Sequence, residues 1–311
     1  ILTSEIFGIP ASGTMAHSFV TSFGSTVKGE YTAFDSYIKT HKTEPLILLI
    51  DTYDTIHCGI RNAIKAFKAN GIDNNYSKGY GVRLDSGDLA YLSRKCRAIL
   101  DSEGMTKCKI IATNSLDEYL IPSLEEQGAA IDSYGVGDAI ATSKTNPCFG
   151  NVYKLVQIDN TPVLKRSEDK IKLINPGFQI TYRIVQDGQF KADITCLRGD
   201  ATSKKIENKE KIDIQSEFDD TQKKTFEKGS YSYHTLQVKM INNGEICYEE
   251  SSIKCKRGYY EYNVNSLSAS ERRLINPHYY KSDISYELYY LKMKLINELI
   301  AEIEQFKSEK I

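Results

Sequence analysis

The stretch Gly81-Val82-Arg83-Leu84-Asp85-Ser86-Gly87-Asp88 packs one fixed cation, two carboxylates, a hydroxyl and a glycine into its last six residues. A guanidinium fork suits phosphate oxygens, and carboxylates suit a developing cation or a divalent metal ion. Arg83 and Asp85 together fit a site that grips an anion and a cation side by side. Asp88 fits equally well as the cap of the helix that follows. Asp51 and Asp54 are a second pair of carboxylates, set at the end of the apolar run 46–50. Two turns, Gly13-Thr14 and Gly135-Val136-Gly137, precede helical patterns and can offer backbone N–H groups to phosphate. Neither is a Walker A loop or a full GxGxxG. Thr14 is the expected N-cap of a helix opening at Met15, which sets His17 on its first turn. An isolated histidine there serves structure more often than chemistry. With Arg83 for phosphate and Asp51 and Asp85 for positive charge or Mg2+, the residues suggest an enzyme acting on a phosphorylated sugar.

The elements that must position these groups run as four strand–helix units with strand ends at residues 50, 82, 113 and 134. The run 46–50 reads as a strand buried on both faces, and 56–69, 89–100 and 116–127 read as helices. Polar residues follow each strand: Asp51, then Arg83 and Asp85, then Asn114, then the turn 135–138. Right-handed βα units gather such loops on one face, where parallel sheets bind ligands. After about residue 150 the pattern changes to hairpins, over 152–165, over 180–197 around Asp187-Gly188, and over 238–248 around Asn242-Asn243-Gly244. Residues 203–228 read as a charged excursion with little core. Ser268 is expected to open a helical stretch, and Asp283 to cap a final helix with one apolar stripe from Ile284 to Ile303. The expected organisation is a segment 1–150 carrying the site and a segment 151–311 completing the barrel and a second domain.

Forty basic and 41 acidic residues leave a formal charge of -1, which argues against a nucleic-acid binder. The longest apolar run is too short to span a bilayer, so no membrane partner is expected. Seven scattered cysteines, never paired as CxxC, fit reduced thiols in the cytoplasm better than disulfides or zinc. The opening residues 1–8 look like the tail of a helix already under way, so the expectation is that an N-terminal portion is absent.

Gly13-Thr14-Met15-Ala16-His17-Ser18, Asp51-Thr52-Tyr53-Asp54, Gly81 to Asp88, Ala112-Thr113-Asn114-Ser115-Leu116-Asp117-Glu118 and Tyr134-Gly135-Val136-Gly137 occur in one order. Val152-Tyr153-Lys154-Leu155 and Arg273-Leu274-Ile275-Asn276-Pro277-His278 continue it. The whole series resembles the nicotinate phosphoribosyltransferase family. The resemblance implies an α/β fold, a distorted (β/α) barrel of the type II phosphoribosyltransferase kind. It implies a reaction joining nicotinate to 5-phosphoribosyl 1-pyrophosphate, giving nicotinate mononucleotide and pyrophosphate for NAD biosynthesis. It further implies coupled hydrolysis of ATP with Mg2+, a phosphohistidine at His17, and a homodimer. By the same match Asp51 or Asp85 stabilises the ribosyl centre or holds metal, and Thr14, Arg83, Asn114, Gly135 and Gly137 contact substrate. Asp138 stands where many members have threonine, an anion at a phosphate turn. The family's N-terminal aromatic residue that packs on nicotinate has no counterpart here. The alternatives are nicotinamide phosphoribosyltransferase, although the aspartate of that enzyme's amide site has no equivalent before His17, and an inactive barrel acting as scaffold or regulatory subunit.

Overall fold

A computed structural model describes residues 2–150, 152–165, 174–215 and 223–308. The chain divides into two compact units, Ile1–Gly150 and Asn151–Ile311. Among the described residues no helix is long and apolar enough to cross a membrane.

The first unit runs α1 (Leu2–Phe7), α2 (His17–Thr21), α3 (Val27–Thr40), β1 (Leu46–Leu49), α4 (Ile60–Ala69), β2 (Tyr80–Leu84), α5 (Leu89–Ser102), β3 (Lys109–Ala112), α6 (Leu120–Glu126), β4 (Ser133–Tyr134) and α7 (Asp138–Thr142). The four strands pair in parallel in their chain order. Alternation of the side chains decides which residues face the helices. Leu46, Leu48, Val82, Leu84, Ile110 and Ala112 point to one face and are fully buried. There they join Phe34 and Ile38 of α3, Ile60, Ala63 and Phe67 of α4, and Leu89, Cys96 and Leu100 of α5 in a single core. Ile47, Arg83 and Ile111 alternate to the other face and are half-buried. Leu49 alternates to the same face as Ile47 and is fully buried, so β1 is buried on both faces at its carboxyl end, as expected, and half-buried only at Ile47. β2 also extends two residues past the expected end at 82, so Arg83 belongs to the strand and not to the turn.

Local chemistry accounts for the ends of these elements. Asp88 caps α5, its carboxylate accepting from Tyr91 N at 2.9 Å. α6 starts later than expected because Asp117 folds the chain into a turn, accepting from Tyr119 N and Leu120 N at 3.0 and 2.8 Å. Thr14 is not a cap: α2 begins at His17 after Ala16, which provides no side-chain bond. A π-helical turn, Thr55–Gly59, leads into α4, with Asp54 accepting from Ile56 N and His57 N.

Glu30 of α3 is fully buried, and its Oε2 accepts from Asn62 Nδ2 at 2.8 Å. Burial raises its carboxyl above the ordinary 4.5, and the Asn62 bond only partly offsets this. An acid whose folded value is raised stabilises the fold below its unfolded value, and that stability is lost as pH rises through the folded value. Glu30→Gln keeps the bond to Asn62 without the charge. It is expected to raise Tm at neutral pH and to change it little below the ordinary carboxyl value. An equal fall in Tm at both pH values would overturn this account.

Among the described residues the second unit is built on a six-stranded sheet. Its centre is the hairpin Gln179–Gln186 and Gln189–Leu197, turning through Asp187 and Gly188 at φ of 52° and 72° as the two-residue turn requires. Five expectations need correction here. Residues 203–228 are not a coreless excursion: they include helix Ala201–Glu207 and paired strands Ile212–Gln215 and Lys223–Phe226. Ile206, Ile212, Ile214 and Phe226 are buried against Tyr182 and Ile194, although residues 216–222 lie outside the described part. Asp283 lies in strand Ser282–Ile284, parallel to the hairpin's second strand, and the final helix Tyr286–Ser308 opens after Ser285, whose hydroxyl accepts from Leu288 N at 3.2 Å. The helix near Ser268 is instead Ile253–Asn265, capped by Ser252. Residues 152–156 are not strand, so the hairpin expected over 152–165 shrinks to Gln157–Ile158 with Thr161–Pro162, and the one around Asn243-Gly244 to Ile241–Asn242 with Glu245–Ile246.

Candidate active site

The sheet ladder continues one rung beyond the strands, and this sets the spacing of the site. Ile50 N donates to Arg83 O at 3.1 Å, Thr113 N to Leu84 O at 2.9 Å, and Gly135 N to Ala112 O at 2.8 Å. Asp51, Asp85, Thr113 and Gly135 therefore follow one another across the carboxyl edge of the sheet.

His17 stands over the first two of these. Its Nε2 lies 3.8 Å from Asp51 Oδ1 and 3.7 Å from Asp85 Oδ2, and its Nδ1 is hydrogen-bonded to Thr52 Oγ1 at 3.1 Å. The Nε2 distances are too long for hydrogen bonds, so the imidazole lies against the two carboxylates without bonding either. The Asp51 side chain is 2% exposed, against 31% for Asp85 and 41% for His17. Asp51 Oδ2 accepts from Asp85 N at 2.9 Å and Ser86 Oγ at 2.6 Å. Asp51 Oδ1 is buried without a hydrogen-bond partner among the described residues. A buried carboxylate oxygen left open is costly unless something positive meets it. Asp85 is held from the other side, where Thr113 Oγ1 donates to its Oδ1.

On the half-buried face of the sheet, an open cleft of about 1200 Å³ is lined by Gly13, Thr14, Arg83, Ile111, Thr113 and Gly135, among others. Arg83 Nη1 donates to Thr14 Oγ1 at 2.6 Å, and its Nε is buried without a partner among the described residues. A guanidinium that lines a cleft is suited to an anionic ligand. Thr113 connects the two places, lining the cleft while it holds Asp85.

The expected site residues thus sort into groups. His17, Asp51 and Asp85 form the imidazole–carboxylate cluster, and Thr14, Arg83 and Gly135 line the cleft. Asn114 is exposed, in the left-handed region at φ 76°, and accepts from Ser115 Oγ. Gly137 caps α7, and Asp138 is that helix's exposed first residue; neither lines the cleft. Thr52, Ser86 and Thr113 were not singled out from sequence. The available signal was a hydroxyl next to a strand-end carboxylate in Asp51-Thr52 and Asp85-Ser86; for Thr113 only its strand-end position marked it.

Comparison with known proteins finds similarity to one group of enzymes. Residues 178–292 match the nicotinate phosphoribosyltransferase C-terminal domain family. A nicotinate phosphoribosyltransferase of Bacillus subtilis is 35% identical over 96% of this chain and 59% of its own length. One of Caenorhabditis elegans is 27% identical over 93% of this chain and 59% of its own. The chain thus spans about three-fifths of the length of these curated relatives. In fold it superposes on human nicotinic acid phosphoribosyltransferase with a TM-score of 0.71 at 21% identity, covering 94% of this chain and 63% of that one. The expected α/β class and the likeness to the type II phosphoribosyltransferase fold hold, and the parallel sheet among the described residues has four strands.

Proposed function

We propose that this relative of the nicotinate phosphoribosyltransferases transfers a phosphoribosyl group to nicotinate, with 5-phosphoribosyl 1-pyrophosphate as donor and ATP hydrolysis coupled through His17. The observation that carries the reading is the pair of carboxylate oxygens, one of them buried and open, that face a single imidazole nitrogen beside a cleft holding Arg83.

In this reading the nicotinate ring nitrogen forms a bond to the ribosyl C1 as the C1–O bond to pyrophosphate breaks. Positive charge grows at C1, and Asp85 with Asp51 stabilises it electrostatically. Arg83 and the N–H groups near Gly135 receive phosphate oxygens. A ring nitrogen of His17 forms a bond to the γ-phosphorus of ATP as the bond from that phosphorus to ADP breaks, and water later cleaves the N–P bond to release phosphate. Mg2+ suits the site, because a carboxylate or two plus phosphates and water is its usual environment. Asp51 and Asp85 would hold it, and it would supply charge neutralisation for the pyrophosphate. A cytoplasmic homodimer is part of the same proposal.

The test is formation of nicotinate mononucleotide by the full-length protein, with and without ATP. ATP-stimulated turnover is expected. No turnover, or a preference for nicotinamide, would overturn the assignment. Incubation with γ-labelled ATP should give an acid-labile phosphoprotein that His17→Ala abolishes, and label that survives the substitution would remove that role from His17.

A further inference from the structure

We infer that Thr113 is a positioning residue for Asp85, and that residue 135 is glycine because Thr113 must stay where it is. The inference rests on the role proposed above for Asp85. Asp85 has a terminal torsion that is broad by nature, and its side chain is part-exposed, so water competes for both oxygens. Its backbone N–H is tied to Asp51, but that bond does not orient the carboxylate. Thr113 does. Its backbone N–H bonds Leu84 O at 2.9 Å, which brings its side chain beside the residue that follows Leu84. Its hydroxyl carries one proton, and the charged Oδ1 of Asp85 takes it in preference to Leu84 O at 3.4 Å. With Oδ1 held, Oδ2 is the oxygen presented toward His17.

The glycine enters through the threonine methyl. A Cβ at residue 135 would come within 2.7 Å of Thr113 Cγ2, and its next neighbours, Ala112 O and Thr113 Cβ, would be at an ordinary 3.8 Å. Gly135 is not in the left-handed region, so backbone conformation does not exclude alanine there. One methyl group does. Gly135 N is fixed to Ala112 O at 2.8 Å, so the strand end cannot easily back away. Threonine carries its methyl and hydroxyl on the same carbon, and a push on Cγ2 turns χ1 and swings Oγ1 off Asp85.

The experiment measures kcat and KM in the full-length protein for five variants, with Tm as a check on folding. Thr113→Val, which keeps the shape and loses the hydroxyl, is expected to lower kcat about tenfold or more, the scale for a lost bond to a charged group. Thr113→Ser keeps the hydroxyl and should lose no more than about threefold. Gly135→Ala should resemble Thr113→Val. Adding Thr113→Ser to Gly135→Ala removes the obstructing methyl and should restore activity to the level of Thr113→Ser alone. A simple phosphate-binding role for Gly135 predicts no such recovery, and its absence would overturn the inference, as would a fully active Thr113→Val. Asp85→Asn separates this failure from failure of the site itself. If Asp85→Asn is as active as the native protein, the carboxylate's assigned role falls first. If Asp85→Asn is inactive while Thr113→Val is not, only the role of Thr113 falls.

Discussion

Asp51→Asn is expected to reduce kcat about a hundredfold or more, the scale for removing one group that stabilises charge in a transition state, while the protein stays folded. The substitution keeps the shape and keeps one oxygen to accept from Asp85 N and Ser86 Oγ, so the turn after β2 stays anchored. What changes is the atom facing His17 Nε2 at 3.8 Å: an anionic oxygen becomes an amide nitrogen carrying two hydrogens. A buried acceptor thereby becomes a donor where the proposed reaction gathers positive charge. Because Asp51 is almost fully enclosed, water is poorly placed to restore the lost potential. Turnover within about threefold of native, with Tm unchanged, would mean that the buried oxygen is only a structural acceptor for the turn at Asp85 and Ser86.

How far the chain declared this arrangement in advance depends on how local each signal is. The run 46–50 and the strand ends near 82, 113 and 134 carried their own evidence, since apolar stretches closing in polar residues need no partner to be recognised. The turn at Asp187-Gly188 was legible for the same reason. Thr113 was not, because its role depends on Asp85, 28 residues away in sequence and brought near only by the register of β2 and β3. Asp283 misled because an acid before a helical stretch looks like a cap. The pairing of its strand with Ile194 of the hairpin, invisible from local pattern, moved that cap to Ser285. The strands at 212–215 and 223–226 were hidden by their brevity and by charged outward positions, with only Ile212, Ile214 and Phe226 carrying the core.

Gly59→Ala is the substitution expected to cost the fold most, about 3 kcal/mol or more and at the upper end of overpacking changes. A Cβ there would lie 1.8 Å from Ile50 O and 2.7 Å from Ile50 C, both backbone atoms that no rotamer change can move. Ile50 is itself held by the bond from its N–H to Arg83 O, so displacing it strains the pairing of β1 with β2. The π-helical turn explains why the approach is so close: Gly59 N reaches back to Asp54 O at 2.8 Å, drawing the turn against the end of β1. Asp51 is the next residue after Ile50, so whatever relieves the clash also shifts the carboxylate that faces His17. Gly59→Ala should therefore lower the midpoint of urea unfolding and, in whatever fraction folds, lower turnover as well. Gly258→Ala is the stability control, because its Cβ would meet nothing within 4 Å and it lies inside helix Ile253–Asn265, where the backbone accepts alanine. Equal midpoints for the two variants would show that Gly59 is not wedged against β1. A destabilised Gly59→Ala protein with native turnover would show that the strand end and Asp51 move independently.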